Sequence, residues 1–271
     1  MCIRDSFRLT IEYAGTRYSG WQIQKNARTV QGELQRAIGA ATGVRDFELY
    51  GSGRTDAGVH ALAQVAHLDL TTSMPPDALM HRINDELPSD INILRIQKVR
   101  HTFHARHSAR SRSYVYQVAR RRTAFAKPLV WWVRDDLNVT TMRAVAKQLV
   151  GFHDFRSFSD DDPEQKSTTV SLTSLEIHEA GDILLFRVEG SHFIWKMVRR
   201  LVGVIVEVGR GGLTADEAVA MLSSESELPA RLTAPASGLF LERVRYDGDP
   251  PESEDPYGLL LAGGVMPLKR K

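Results

Sequence analysis

The alternation of hydrophobic and turn residues predicts an α+β protein built as two lobes. Alternating stretches such as FRLTIEY, at residues 7–13, predict strands. Apolar residues at helical spacing, as in Val30, Leu34 and Ile38, predict helices between them. Two alternating stretches flank a turn at residues 180–182 and predict an antiparallel hairpin. Antiparallel hairpins with interspersed helices are typical of α+β layers.

The 271-residue chain is expected to divide into an N-terminal lobe at 7–106 and a C-terminal lobe at 107–247. Residues 1–6 show no strand pattern and are expected to be a non-native or disordered extension. Residues 248–271 begin acidic and proline-rich and are expected to form a flexible tail.

The composition favours a protein that binds a polyanion over a membrane-spanning or secreted protein. The formal net charge is only +2, but the basic residues are clustered, which suits a protein that binds a polyanion on one face. We find no apolar run near the roughly 18 residues that a membrane span needs, and no signal peptide. A single cysteine allows no internal disulfide, so a cytoplasmic protein is expected.

A glycine-rich loop precedes the most regular strand. Gly51, Gly53 and Gly58 surround Arg54 and Asp56. Glycine lets a bulky partner approach the backbone closely, and a nearby arginine favours the charged form of a carboxylate. On residue types alone, the commoner interpretation is that Asp56 nucleates a turn, with a catalytic carboxylate as the alternative.

The stretch at residues 101–122 is strongly basic. Arg106, Arg110 and Arg112 come before Tyr114 and Tyr116, which share one face of the predicted strand. Arginine interleaved with aromatic rings suits RNA, since guanidinium groups bind phosphates and rings stack on bases. An edge strand guarded by charge is the alternative.

A second basic cluster lies in SHFIWKMVRRLVG. A helical wheel places Lys196, Arg199 and Arg200 opposite an apolar side that includes Phe193 and Met197. The commoner interpretation of such a charged face is that it is solvated.

No metal site and no cofactor are predicted. His101, His104 and His107 recur every three residues, but no Cys/His framework accompanies them, and this spacing fails in an extended segment. We find no phosphate-binding loop motif for a nucleotide.

Several stretches, in order, resemble the TruA-type tRNA pseudouridine synthases. They are YAGTRYSGWQIQ followed by TVQ, GRTDAGVHA, FHARHSARSRSYVY, GFHDFRSF and MVRRLVG. Ala14 departs from the pattern, which has aspartate there. The resemblance covers roughly residues 7–247.

The resemblance implies the pseudouridine synthase fold, with two α/β lobes, a largely antiparallel mixed sheet and a central basic cleft. It implies isomerisation of uridine to pseudouridine in the anticodon stem-loop of tRNA, at positions 38, 39 and 40. It also implies a cytoplasmic homodimer that needs no small-molecule cofactor and no membrane.

The resemblance also assigns site residues. Asp56 matches the catalytic aspartate, Tyr114 the tyrosine that packs on the target base, and Arg199 the arginine beside the aspartate. Arg54 is the candidate to fill the space of the flipped nucleotide. The remaining candidates for RNA contact are Arg106, Arg110, Arg112, Lys196 and Arg200.

Two other functions stay open. A non-catalytic RNA-binding protein would keep the basic face and make no use of Asp56. A carboxylate-metal nuclease or a glycosidase would need further acidic groups. A retaining glycosidase needs a second carboxylate about 5 Å away, for which Asp69 is the nearest candidate in sequence.

Overall fold

A computed structural model describes residues 5–162, 165 and 167–249, which form two compact units. The first unit comprises the chain up to Arg110 together with Phe240–Gly248, and the second comprises Ser111–Leu239 and, among the described residues, Asp249. The observed division therefore lies four residues after the predicted one. Residues 240–247, which were expected in the C-terminal lobe, belong to the first unit instead. Most of the predicted tail lies outside the described residues.

The secondary structure alternates strands and helices along the chain. The strands are β1 (Asp5–Tyr13), β2 (Glu48–Gly51), β3 (His60–Leu70), β4 (Ile91–Val99), β5 (Ala109–Ala119), β6 (Trp131–Trp132), β7 (Gly151–Asp154), β8 (Thr169–Ala180), β9 (Ile183–Gly190) and β10 (Leu239–Tyr246). The helices are α1 (Val30–Thr42), α2 (Pro76–Glu86), α3 (Val139–Leu149), α4 (Met197–Arg210), α5 (Ala215–Ala220) and α6 (Leu228–Arg231).

In the first unit, β1 lies between β4 and β3 and pairs antiparallel with both. The other edge of β3 is shared by two strands. Near its end β3 pairs antiparallel with β2, with Gly51 opposite Ala66. At its start it pairs parallel with β10, with Phe240 opposite His60. This arrangement places the connection from β2 to β3 along the edge of β3.

Local sequence signals account for much of the first unit. Phe7, Leu9 and Ile11 alternate along β1 and are fully buried, because one face of the strand faces the core. The strand begins at Asp5, and Ser6 is buried, so these two residues are not the disordered extension that was expected. Residues 1–4 lie outside the described residues.

Helix α1 confirms the helix predicted from the spacing of Val30, Leu34 and Ile38. The Thr29 side chain accepts a hydrogen bond from the Gly32 N–H, which satisfies one of the free donors of the first turn. Gly43 ends the helix with φ +71°, a left-handed conformation that glycine adopts at low cost.

In the second unit, β5, β9, β8 and β7 pair antiparallel in that order, and β6 adds a short parallel pair to β5. The predicted hairpin is confirmed, with β8 and β9 joined at Gly181. Helix α3 packs against β8 and against α4. The fold class, α+β with mostly antiparallel strands, is as predicted.

Helix α4 differs from the predicted amphipathic helix. It begins at Met197, so Phe193 and Lys196 precede it and do not share its wheel. Most of its residues are buried, including Arg200. Within the described ranges, none of the helices has the length and apolar character needed to cross a membrane.

Candidate active site

The loop between β2 and β3 is anchored along the edge of β3. The backbone N–H of Ser52 donates to the carbonyl of Val65 at 2.7 Å. The hydroxyl of Ser52 donates to Oε1 of Gln64 at 2.7 Å, and Nε2 of Gln64 donates to the carbonyl of Gly53 at 3.2 Å. Ser52 and Gln64 are buried. A buried side-chain amide thus fixes the entry of the loop, just before Arg54.

The centre of the loop is a turn that carries Asp56. The carbonyl of Thr55 accepts a hydrogen bond from the backbone N–H of Trp21 at 3.0 Å. The Thr55 hydroxyl lies 2.8 Å from the hydroxyl of Tyr13. The carbonyl of Asp56 accepts from Val59 N–H at 3.1 Å and closes the turn. Thr55 is buried between an exposed Arg54 and a half-buried Asp56. The hydrogen bonds of Thr55 therefore fix the backbone position of the two residues beside it.

The segment at residues 13–21 packs against this turn. A Cβ on Gly15 would lie 1.9 Å from the carbonyl oxygen of Val59, and the Gly15 N–H donates to Nδ1 of His60 at 3.1 Å. Gly20 has φ +92°, and a Cβ there would lie 2.5 Å from the carbonyl oxygen of Thr55. Trp21 is buried. The two glycines of the YAGTRYSGW motif therefore allow its backbone to pack directly against the backbone of the loop.

In the second unit, Tyr114 lies on β5 and is half-buried. Its ring meets the ring of Phe193 edge to face, with centroids 5.1 Å apart. Tyr116, two residues further on the same face, is fully buried, and its hydroxyl donates to the carbonyl of Pro235 at 2.7 Å. Of the two predicted tyrosines, Tyr114 keeps a partly exposed ring that a base could contact.

Arg199 lies in the first turn of α4. Its Nε donates to the carbonyl of Ala234 at 2.7 Å, and its own carbonyl accepts from the Ala234 N–H at 3.1 Å. The Nε bond directs this half-buried side chain toward Ala234, and the backbone bond holds Ala234 against the same turn.

Arg200 and Lys196 share one acidic partner, Asp160. Arg200 is only 4% exposed and pairs with Oδ1 of Asp160, while Nζ of Lys196 lies 2.6 Å from Oδ2 of the same carboxylate. The expectation that Arg200 contacts RNA does not fit this position, because its guanidinium is directed into the protein. The partner Asp160 lies 40 residues before Arg200, so the sequence around the helix does not indicate it.

The other predicted RNA contacts differ in their surroundings. Arg106 and Arg110 are exposed in the first unit, and Arg110 pairs with Asp247 through two hydrogen bonds of 2.9 and 2.6 Å. Asp247 raises the pKa of Arg110. Arg112, in the second unit, is half-buried and donates to the carbonyl of Ser191 at 2.9 Å.

The three histidines of the basic stretch bind protein groups. Nδ1 of His104 accepts from the backbone N–H of Arg106 at 3.2 Å, and the rings of His104 and His107 lie 4.3 Å apart. Nδ1 of His101 lies 2.8 Å from the hydroxyl of Ser6. Among the residues that the structure describes, no group of three or more acidic, histidine or cysteine side chains could hold a metal ion.

Asp69 does not form a carboxylate pair with Asp56. The Asp56 carbonyl accepts from the N–H of Val59, next to His60 at the start of β3. Asp69 lies nine residues along β3 from His60, a separation of about 30 Å at the rise of a strand, and accepts a hydrogen bond from Ser6. A retaining glycosidase needs the two groups about 5 Å apart, so this alternative loses its second carboxylate.

Comparison with known proteins identifies the family of the chain. A family profile described as tRNA pseudouridine synthase matches residues 9–108 and 145–247. The chain belongs to this family. A protein of Bradyrhizobium sp. named tRNA pseudouridine synthase A is 39% identical over 243 residues, covering 89% of this chain and 99% of that protein. Its counterpart in Nitrobacter winogradskyi is 40% identical over 252 residues, covering 92% and 98%.

The segments that match the family profile contain some of the candidate residues and not others. The matched segments include Arg54 and Asp56 in the first unit and Lys196, Arg199 and Arg200 in the second. Arg110, Arg112 and Tyr114 fall between the matched segments. As a member of the tRNA pseudouridine synthase family, the chain has an anchored loop around Asp56 and a fixed first turn around Arg199, one in each unit.

Proposed function

We propose that the protein isomerises uridine to pseudouridine in tRNA, with Asp56 as the catalytic carboxylate. The reaction breaks the C1′–N1 glycosidic bond, turns the uracil and joins its C5 to C1′; N1 gains a proton and C5 loses one. It needs no oxidant and no energy source. One carboxylate can act either by attack on the sugar or ring, or by removal of the 2′ proton.

The observation that carries this proposal is the anchoring of the turn. Thr55 is held by Tyr13 and Trp21, so the residues on either side of it are presented in a fixed geometry before any substrate binds. Catalysis by a single group depends on such placement, because an error of about 1 Å can cost about a hundredfold in rate.

The finer roles follow from the resemblance. Arg54, exposed beside the anchored Thr55, fills the space of the flipped nucleotide. Tyr114 stacks on the target base, and Arg199 supplies the positive charge that orients the catalytic carboxylate. The substrate is the anticodon stem-loop at positions 38, 39 and 40, bound by a homodimer in the cytoplasm.

Phosphate contacts are assigned to Arg106, Arg110, Arg112 and Lys196. All four are at least partly exposed, which leaves their guanidinium or ammonium groups within reach of RNA. Arg200 is left out of this set because it is buried.

The test uses unmodified tRNA transcript incubated with the protein in EDTA, with pseudouridine mapped by carbodiimide-dependent stops in primer extension. Stops at the anticodon-arm uridines are expected with the wild type and with Asp77→Asn, which changes an exposed acid on α2. They are expected to vanish with Asp56→Ala and Asp56→Asn, while tRNA still binds.

Two outcomes would contradict the proposal. Tight tRNA binding by the wild type without stops would favour a non-catalytic RNA-binding protein. Strand cleavage in a parallel reaction with Mg²⁺ in place of EDTA would favour a metal-dependent nuclease.

A further inference from the structure

Two neighbouring acids, Asp160 and Asp161, contact the start of α4 and have no part in the proposed reaction. Oδ2 of Asp160 lies 2.6 Å from Nζ of Lys196, and its Oδ1 pairs with Nη2 of Arg200. Oδ2 of Asp161 accepts a 2.9 Å hydrogen bond from the backbone N–H of Trp195. The two carboxylates therefore hold three residues around the first turn of the helix.

The start of α4 needs this support. Lys196 is the N-cap residue, with φ +63°, a left-handed conformation that residues other than glycine seldom adopt. Its side chain makes no capping hydrogen bond to the helix. Since the positive end of a helix dipole attracts carboxylates, Asp160 and Asp161 supply the charge that the cap residue does not.

Arg199 lies within the turn that these acids hold. Its side chain and backbone both bond to Ala234. One turn later, a Cβ on Gly203 would lie 1.8 Å from the carbonyl oxygen of Leu232, so the segment at 232–234 lies directly against the helix. The direction of Arg199 thus depends on two supports, the 232–234 segment and the acids at 160–161.

We infer that Asp160 is a positioning residue that sets the first turn of α4 and, through it, the guanidinium of Arg199. The inference rests on the role proposed above for Arg199. Arg200, the next residue, is buried, and a buried cation holds close to its carboxylate because an unpaired buried charge is costly. The Asp160–Arg200 pair therefore fixes the turn, and Lys196 ties the same carboxylate to the cap residue.

Asp160→Asn and Asp160→Glu test this role in the full chain. The single-turnover rate of pseudouridine formation, the Kd for tRNA and the melting temperature are measured for each. The amide weakens both ion pairs, so a rate about tenfold lower is expected with Kd within twofold. The glutamate keeps the charge that Arg200 needs but moves the carboxylate by one methylene, and a rate about threefold lower is expected at nearly unchanged melting temperature.

Asp182→Asn is the matched control. Asp182 lies in the turn between β8 and β9 and pairs with Arg121 at 2.7 Å, and both side chains are more than half exposed. Wild-type rate and Kd are expected for this variant.

Asp160→Glu still neutralises the charge of Arg200 but moves the carboxylate, so it tests the positioning role separately from charge neutralisation. It also decides the question if Asp160→Asn does not fold. A wild-type rate in Asp160→Glu, or losses that appear only in Kd, would overturn the positioning role while Asp56→Ala still abolished turnover. Turnover that survives Asp56→Ala would overturn the proposed function itself.

Discussion

The hydroxyl of Tyr13, at the end of β1, lies 2.8 Å from the hydroxyl of Thr55, and both residues are buried. This contact joins the first strand of the sheet to the residue between Arg54 and Asp56. It is a side-chain link across 42 positions of the chain and does not depend on the backbone of the loop.

Tyr13→Phe removes this link without changing the ring. A loss of about 1 kcal/mol in the free energy of unfolding is expected, the usual effect of losing one buried hydrogen bond. A several-fold slower single-turnover rate is also expected, because the turn that carries Asp56 loses a support. Urea unfolding and pseudouridine formation measure the two effects.

Tyr246→Phe serves as its control. The Tyr246 hydroxyl donates to the carbonyl of Ala105 at 2.6 Å, in the same unit and also buried. This variant should lose similar stability and keep the wild-type rate. Equal rates in the two variants would show that the Tyr13 contact matters to stability alone.

Gly20→Ala should distort the loop from its backbone side. The new Cβ would lie 2.5 Å from the Thr55 carbonyl oxygen, at φ +92°, so the chain must move or hold a strained conformation. We expect a loss of about 2 kcal/mol in stability together with slower turnover. Thermal unfolding and the rate assay measure it.

Gly39→Ala is the matched change in the same unit. Gly39 lies within α1, and a Cβ there would meet its nearest neighbour at an ordinary 3.8 Å. Stability should rise by up to about 1 kcal/mol, since alanine favours a helix. A Gly20→Ala variant as stable and active as wild type would contradict the close approach of residues 20 and 55.

The double variant Arg110→Ala/Arg112→Ala should weaken tRNA binding and reduce its dependence on salt. Removing one ion pair with a phosphate lowers the slope of log K against log salt by about 0.7 to 0.9. Arg36→Ala is the control, because Arg36 is an exposed arginine on α1 that pairs with Glu33. Kd values for tRNA at several salt concentrations decide the matter. A slope that does not change would place both arginines outside the RNA interface.

The stability of the first unit should fall as the pH drops below about 6.5, the usual histidine pKa. Burial lowers the pKa of His67, and burial and the neighbouring His107 lower that of His104; Asp69 acts weakly in the opposite direction on both. Between the folded and unfolded pKa values the unfolded chain binds more protons, so stability rises with pH there.

His67→Gln tests the histidine contribution to this pH dependence. The substituted side chain cannot titrate, so the difference in unfolding free energy between pH 7.5 and pH 5.5 should shrink relative to wild type. His81→Gln, a change on the exposed face of α2, should leave the difference as it was. Urea unfolding at both pH values is the measurement, and an unchanged difference in His67→Gln would refute the assignment.

Features with a local signature were predictable from the sequence. The helix over Val30, Leu34 and Ile38 and the hairpin at Gly181 both appear as their patterns indicated. In each case the residues that define the feature lie within a few positions of one another, so the sequence shows them together.

Features that depend on distant partners were not predictable. A helical wheel groups Arg200 with Lys196 on a solvated face, but Asp160, 40 residues earlier, is the partner that allows Arg200 to be buried. The Asp56 loop was recognised from its motif, whereas the sequence does not show that Tyr13 and Gln64, 42 and 11 residues away from the groups they bind, anchor it. The parallel pairing of β10 with β3 also lacks one, because no turn joins the two strands.

That parallel pairing has a consequence during synthesis. The unit that carries Asp56 takes its last strand from Phe240–Gly248, whereas Ser111–Leu239 of the second unit is made before that strand. As the chain leaves the ribosome, the first unit emerges early, but the start of β3 lacks its parallel partner until β10 has been made, after all the strands of the second unit. The loop around Asp56 is therefore made early but gains its completed sheet only after the strands of the second unit have been synthesised.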